Sequence, residues 1–177
     1  MRHADHVALL RDAVTPGGTW ADLGSGEGAF TLALADLVGE AGHIYSVERD
    51  EDVLEAQREA MGRRFPNVTV DYVRADFTKP LDLPPLDGIV MANSLHFYRD
   101  KETLLRRLVA YLKEAGRFVL VEYDADRGNP WVPHPLSYAT WEALSLRCGL
   151  EGTREIGRVP SRFLGAIYSA LSVRASS

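Results

Sequence analysis

Three glycines at alternate positions follow an acid in Asp22-Leu23-Gly24-Ser25-Gly26-Glu27-Gly28, and a helical pattern begins at once with Ala29-Phe30. Glycines let a backbone turn tightly and let a ligand lie directly against it. Placed after a strand, such a turn makes a nucleotide site at the carboxyl edge of a parallel sheet. Glu48 ends the second β-rich run, where a carboxylate can accept both hydroxyls of a ribose; it can equally serve as a capping acid for the next helix. Asp76-Phe77 ends the third run and offers an acceptor for an exocyclic amine beside an apolar face for a base. Met91-Ala92-Asn93-Ser94-Leu95-His96-Phe97 follows the fourth, opposite the glycine turn, where the reactive end of a nucleotide would point.

Candidate bases gather near the same edge. His96 is a candidate proton-transfer group by its imidazole, or is a hydrogen-bonded turn residue. Glu122 and Asp124 flank Tyr123 at the end of the fifth run, where carboxylates either orient and deprotonate a substrate or simply face solvent. His134 lies between two prolines in an aperiodic stretch that also holds Trp131, and this pair forms either a substrate lid or a packed loop. Trp20 and Trp141 are assigned to the core.

The elements that must position these groups alternate in period. Short β-rich runs occur at Thr19–Leu23, His43–Val47, Val68–Val73, Gly88–Met91, Arg117–Val121 and Phe163–Val173. Helical patterns lie between them at Ala29–Val38, Glu51–Phe65, Lys101–Lys113 (stopped by Gly116) and Ser137–Cys148, with a short first helix at 6–14. The alternation calls for an α/β, doubly wound sheet with helices on both faces. At the end, Leu150–Val159 and Phe163–Val173 are joined only by Pro160-Ser161-Arg162, too short for a crossover, so the last strand runs antiparallel.

The chain has 177 residues, 46% hydrophobic and 25% charged, which suits a single globular domain over 1–177. Its net charge of −5 gives no footprint for nucleic acid. No apolar run approaches the roughly 20 residues of a membrane span, and the one cysteine, Cys148, fits a reducing cytoplasmic setting.

Taken together, Asp22–Gly28, Glu48, Asp76-Phe77, Asn93–His96 and the strand Gly116–Tyr123 resemble class I S-adenosylmethionine-dependent methyltransferases. The likeness is to the broad small-molecule group that includes the quinone-biosynthesis enzymes. It implies a Rossmann-like, seven-stranded, mostly parallel sheet with an antiparallel last strand. It also implies S-adenosyl-L-methionine as cofactor, no metal, and methyl transfer by in-line displacement to a small-molecule acceptor. By the same resemblance Gly24, Ser25 and Gly26 lie against the methionine part, with Asp22 near its ammonium group. Glu48 takes the ribose, Asp76 the adenine amine, Phe77 the adenine face and Asn93 the sulfonium end. His96 and Glu122 are then candidates for catalysis, and Tyr123, Trp131 and His134 for acceptor binding. Residues 1–17 leave room for little of the helical cap found in many relatives. The pocket is therefore expected to be open, covered by the Tyr123–Pro135 loop, or completed by a second copy in a homodimer. Two alternatives stay open: a nicotinamide-dependent oxidoreductase, against which Glu27 in the glycine turn counts, and a non-catalytic cofactor-binding module.

Overall fold

A computed structural model of the protein describes residues 1–176. Seven strands form one sheet in the order β3-β2-β1-β4-β5-β7-β6. They are β1 (Gly18–Leu23), β2 (Gly42–Glu48), β3 (Thr69–Arg74), β4 (Leu86–Ala92), β5 (Leu112–Tyr123), β6 (Leu150–Pro160) and β7 (Ala166–Arg174). The first five run parallel, and β7 is antiparallel to both β5 and β6. Connection length enforces this reversal: the turn at 161–165 closes through Ser161 N–H donating to Gly165 O at 2.8 Å.

Five helices cover the two faces: α1 (His3–Leu10), α2 (Ala29–Val38), α3 (Glu51–Arg64), α4 (Lys101–Val109) and α5 (Tyr138–Arg147). One core joins α1, α2 and Met61 of α3 to the sheet through Leu9, Leu10, Leu34, Ile44, Val90 and Val119. The other joins α4 and α5 to the opposite face through Leu105, Leu108, Ile89, Phe118 and Trp141. The helix ends obey their local chemistry. Asp50 accepts from the Asp52 and Val53 amides to open α3, and Arg63-Arg64 close it, both favourable to the helix dipole.

Several boundaries differ from the expectation. The first helix starts at His3 rather than residue 6, because the Asp5 carboxylate caps it by accepting from the Arg2 backbone N–H at 2.8 Å. It ends at Leu10 rather than 14, with Pro16 ahead disfavouring a helical Thr15. Helix α4 stops at Val109, four residues short of the expected Lys113. Leu112 instead pairs with Leu86, so β5 begins there and Gly116 lies within a strand rather than ending a helix. The last strand starts at Ala166, three residues later than expected, because Gly165 (φ +71°) belongs to the turn.

Trp20 on β1 is buried and lies flat over Gly88 on β4: a Cβ on Gly88 would sit 2.2 Å from the indole. Gly88→Ala is accordingly expected to cost about 1–3 kcal/mol of stability by overpacking. The check is a urea unfolding midpoint that falls with unchanged slope.

Candidate functional site

A cavity of about 370 Å³ opens over the carboxyl ends of the first four strands. Its floor is the glycine turn. Gly24, Gly26 and Gly28 have φ of +75°, +52° and +80°, backbone states that other L residues rarely adopt. The Gly24 and Ser25 amides both donate to Val47 O, at 2.9 and 3.1 Å, which ties the turn to β2. A Cβ on Gly24 would meet Ser94 Cβ at 2.8 Å and Phe77 at 2.9 Å, and one on Gly28 would meet Gln57 at 2.7 Å. One on Gly26 would meet nothing within 4 Å. Gly26 therefore has open space above it, while the Cβ positions of Gly24 and Gly28 are already occupied.

Glu48 stands at the tip of β2. One carboxylate oxygen accepts from Gly26 N–H at 3.1 Å, the other from Arg49 and Asp50 N–H at 2.8 and 3.2 Å. Beyond the tip of β3, Asp76 accepts from the Thr78 hydroxyl and amide at 2.7 and 2.9 Å. The Thr78 hydroxyl, opposed by partial burial and aided by the amide, holds the Asp76 carboxyl below its ordinary value. Phe77 is buried, with Tyr98 edge-on at 5.2 Å between ring centres. At the tip of β4, Asn93 adopts φ +52°, its amide donates to Val121 O at 2.9 Å, and its buried side-chain oxygen has no partner among the described residues. A buried acceptor without a donor, beside a glycine floor, is what a ligand-binding edge leaves open.

Of the residues singled out in the sequence, Gly24, Ser25, Gly26, Glu48, Asp76, Phe77 and Asn93 line this cavity together. Asp22 lies beneath it, fully buried, accepting from the Thr31 hydroxyl at 2.7 Å. Burial, eased by that hydrogen bond and reinforced by the charge of Glu48, pushes its carboxyl up to about 7. His96 and Glu122 stand behind the wall rather than on it. Glu122 is completely buried, so the solvent-facing reading of this strand end gives way. Its carboxylate accepts from His96 N at 3.1 Å, from His96 Nδ1 at 2.9 and 3.0 Å, and from Tyr123 N at 3.0 Å. The Tyr123 ring meets the His96 ring edge-on at 5.7 Å.

The loop after β5 does not roof the cavity. Trp131 is 73% exposed, and His134 is pinned away from it, its amide donating to His96 O at 2.9 Å. The walls come instead from α1, from the start of α2 and from the 3-10 turn Leu95–Phe97: Met1, His6, Phe30, Phe97 and Tyr98 all line the cavity. These were not singled out from sequence. Gln57 was missed as well; it donates to Ser25 Oγ at 2.9 Å and to Gly26 O. A glutamine on the inward face of α3 is the one signal that marked it.

The comparisons agree with this geometry. A family described as a methyltransferase domain matches residues 15–148. The 2-phytyl-1,4-naphtoquinone methyltransferase of Nostoc punctiforme is 28% identical over 118 residues, 66% of this chain and 51% of that protein. The ubiquinone/menaquinone biosynthesis C-methyltransferase UbiE of Ectopseudomonas mendocina is 29% identical over 118 residues, 66% of this chain and 46% of that one. The chain thus spans about half the length of the curated relatives it matches. Among solved structures, a SAM dependent methyltransferase from Aquifex aeolicus shares the fold at TM-score 0.73 and 20% identity, covering 96% of this chain and 89% of that one. Magnesium protoporphyrin IX methyltransferase from Synechocystis, with bound SAM, does so at TM-score 0.75 and 18% identity, covering 98% and 78%. Neither the nicotinamide reading nor the non-catalytic one finds support here. With its glycine floor, its acids at the tips of β2 and β3, and a family match over residues 15–148, the chain belongs to the methyltransferase domain family, in the class I, S-adenosylmethionine-dependent group that its motifs resemble.

Proposed function

We propose that this protein transfers a methyl group from S-adenosylmethionine to a small-molecule acceptor. One observation carries the reading: a single cavity gathers a glycine floor open above Gly26, a carboxylate at the tip of β2, an acid and a buried ring beyond β3, and an unpartnered Asn93 oxygen at β4. The curated relatives, named as quinone methyltransferases, point to an acceptor of that general kind. A net charge of −5 disfavours a nucleic-acid acceptor, and the lone, buried Cys148 suits a cytoplasmic setting. No helix among the described residues is long and apolar enough to cross a membrane.

Bound S-adenosylmethionine supplies an activated methyl group, so the protein's work is binding, orientation and exclusion of water. Gly24 and Gly26 keep the floor low enough for a ligand to touch backbone. Glu48 holds the turn through Gly26 N–H and offers its carboxylate to ribose hydroxyls, while Asp76 and Phe77 receive the base. Asn93 offers an orphan carbonyl oxygen to the cationic end, and Asp22 lies below, where a cationic ligand favours its ionised form. His96 and Glu122 act as positioning residues: their buried bond clamps the end of β5 to the turn that carries Asn93, Ser94 and Phe97. Good alignment of donor and acceptor is worth roughly 7–11 kcal/mol of barrier, so such a clamp matters without touching substrate.

Two measurements test this reading. Glu48→Ala and Asp76→Ala are each expected to weaken S-adenosylhomocysteine binding by roughly tenfold or more in calorimetry, with an unchanged far-UV spectrum, since each removes charge-assisted hydrogen bonds. Unaltered affinity in both variants refutes the site. Asp22 gives a pH signature in the ligand-free protein. Its folded pKa of about 7 exceeds the unfolded 3.8, so its stability contribution is whole below 3.8 and is lost as pH rises from there through 7. Asp22→Asn removes that loss. In urea unfolding the variant should match the parent near pH 4 and gain on it by roughly 4 kcal/mol near pH 8.

A further inference from the structure

At the edge of the sheet away from the glycine turn, the ladder between β4 and β5 breaks. Leu86 pairs with Leu112 and Gly88 with Arg117, so residues 113–116 stand against Asp87 alone and bulge outward, with Ala115 at φ +56°. The bulge walls a second cavity, of about 280 Å³, whose other side is the chain entering β1 at Gly17 and Gly18. Strands β1 and β4 each run from this cavity to the donor cavity, so the two lie at opposite ends of the same strands.

Two side chains in it have donors to spare. Trp20 is only 2% exposed, its indole nitrogen lies 3.4 Å from the position a Cβ on Gly18 would take, and that nitrogen bonds no protein group among the described residues. The Trp141 indole is also without a partner but is sealed within the core, whereas Trp20 lines the cavity. Arg117 is half-buried. One of its nitrogens donates to Ala13 O at 2.6 Å, and no carboxylate among the described residues pairs with its charge. A buried donor without an acceptor, beside an unmatched guanidinium, marks a place for negatively charged oxygen.

The acids nearby do not fill that place. Asp87 already accepts from Thr19 N–H at 2.7 Å and from Lys113 Nζ at 2.8 and 2.9 Å, so its charge is met and both its oxygens are engaged. Glu114 lies exposed on the bulge and forms no ion pair among the described residues. A cation entering here meets Lys113 in front of the inner carboxylate, whereas an oxyanion meets the Trp20 N–H and the Arg117 fork.

We infer that this cavity binds a small molecule through an oxyanion, a carboxylate or a phosphate group, held by the Trp20 indole N–H and the Arg117 guanidinium, with the Asp87–Lys113 pair bracing the wall. The site is separate from the donor cavity and does not depend on the methyltransferase reading.

The test is a ¹H–¹⁵N spectrum of the intact labelled chain, with the Trp20 indole signal assigned through its own backbone connectivities. The signal is followed during titration with sodium phosphate, and separately with sodium acetate, at ionic strength held constant by sodium chloride. It is expected to shift saturably with at least one of the two while the Trp131 and Trp141 signals stay in place, and the tighter probe names the group that the natural ligand carries. Arg117→Gln should weaken that binding roughly tenfold by removing a charge-assisted hydrogen bond. Glu114→Gln, at an exposed position, should tighten it roughly two- to threefold by removing a like charge. Saturating S-adenosylhomocysteine should leave the affinity unchanged. A Trp20 signal that stays still, or that drifts without saturating as it would for an adventitious ion only, overturns the proposal. So does undiminished affinity in Arg117→Gln. Loss of binding once S-adenosylhomocysteine is present also overturns it, since the oxyanion then sits in the donor cavity.

Discussion

The turn from β1 into α2 has no room for a Cβ at Gly24 or Gly28, and the site is built on that restriction. Three other elements have already filled the space a Cβ would need: Ser94 after β4, Phe77 after β3 and Gln57 on α3. Each belongs to a different crossover, so the glycine turn is where the parallel strands are made to agree on a common height. Ser94 donates to Leu23 O at 2.9 Å, Ser46 donates to Gln57 Oε1 and shares a second hydroxyl–hydroxyl contact with Ser25 Oγ, both at 2.8 Å, and Gly26 donates to Glu48. The floor is thus hydrogen-bonded to its neighbours on every side except the one that faces the cavity. Dense packing below and open backbone above follow from one sequence feature, the alternate glycines.

The same principle explains the buried pair behind the site. A carboxylate with no exposure is costly unless its lone pairs are met, and Glu122 meets three N–H donors. Two of those donors belong to His96 and one to Tyr123, so the pair fastens the turn after β4 to the end of β5. His134, through its backbone, extends the fastening into the loop that follows. A charge that is expensive to bury thereby becomes a rigid support for Asn93 and Phe97.

Much of this was legible in the residues. Alternating periods gave the sheet and the helices on both faces, and the short connection at 161–165 gave the reversed last strand. The glycine turn, Glu48, Asp76, Phe77 and Asn93 lie together because strand tips of a doubly wound sheet converge, which sequence order alone implies. What escaped the sequence was direction. Glu122 reads as a polar residue ending a strand, and only the alternation of side chains in β5 turns it inward toward His96. Trp131 suggests a lid by its chemistry, yet Asn129 accepts from the Trp131 and Val132 amides at 3.0 and 2.9 Å in a local turn, and the indole stays in solvent. The N-terminal helix offered no motif, and its role came from packing on α2, which carries His6 to the cavity. The early start of β5 was hidden because Leu112 fits the helical stripe as well as the ladder.

The order of the strands leaves β3 and β6 as the two free borders of the sheet. β3 exposes Asp71 and Arg74, and β6 exposes Glu151, Arg154, Glu155 and Arg158, has two irregularities in its pairing with β7, and ends at Pro160. Charges, kinks and a proline are the devices that stop one sheet from zipping onto another. The unpaired peptide groups along these borders are therefore guarded against edge-to-edge pairing with another sheet.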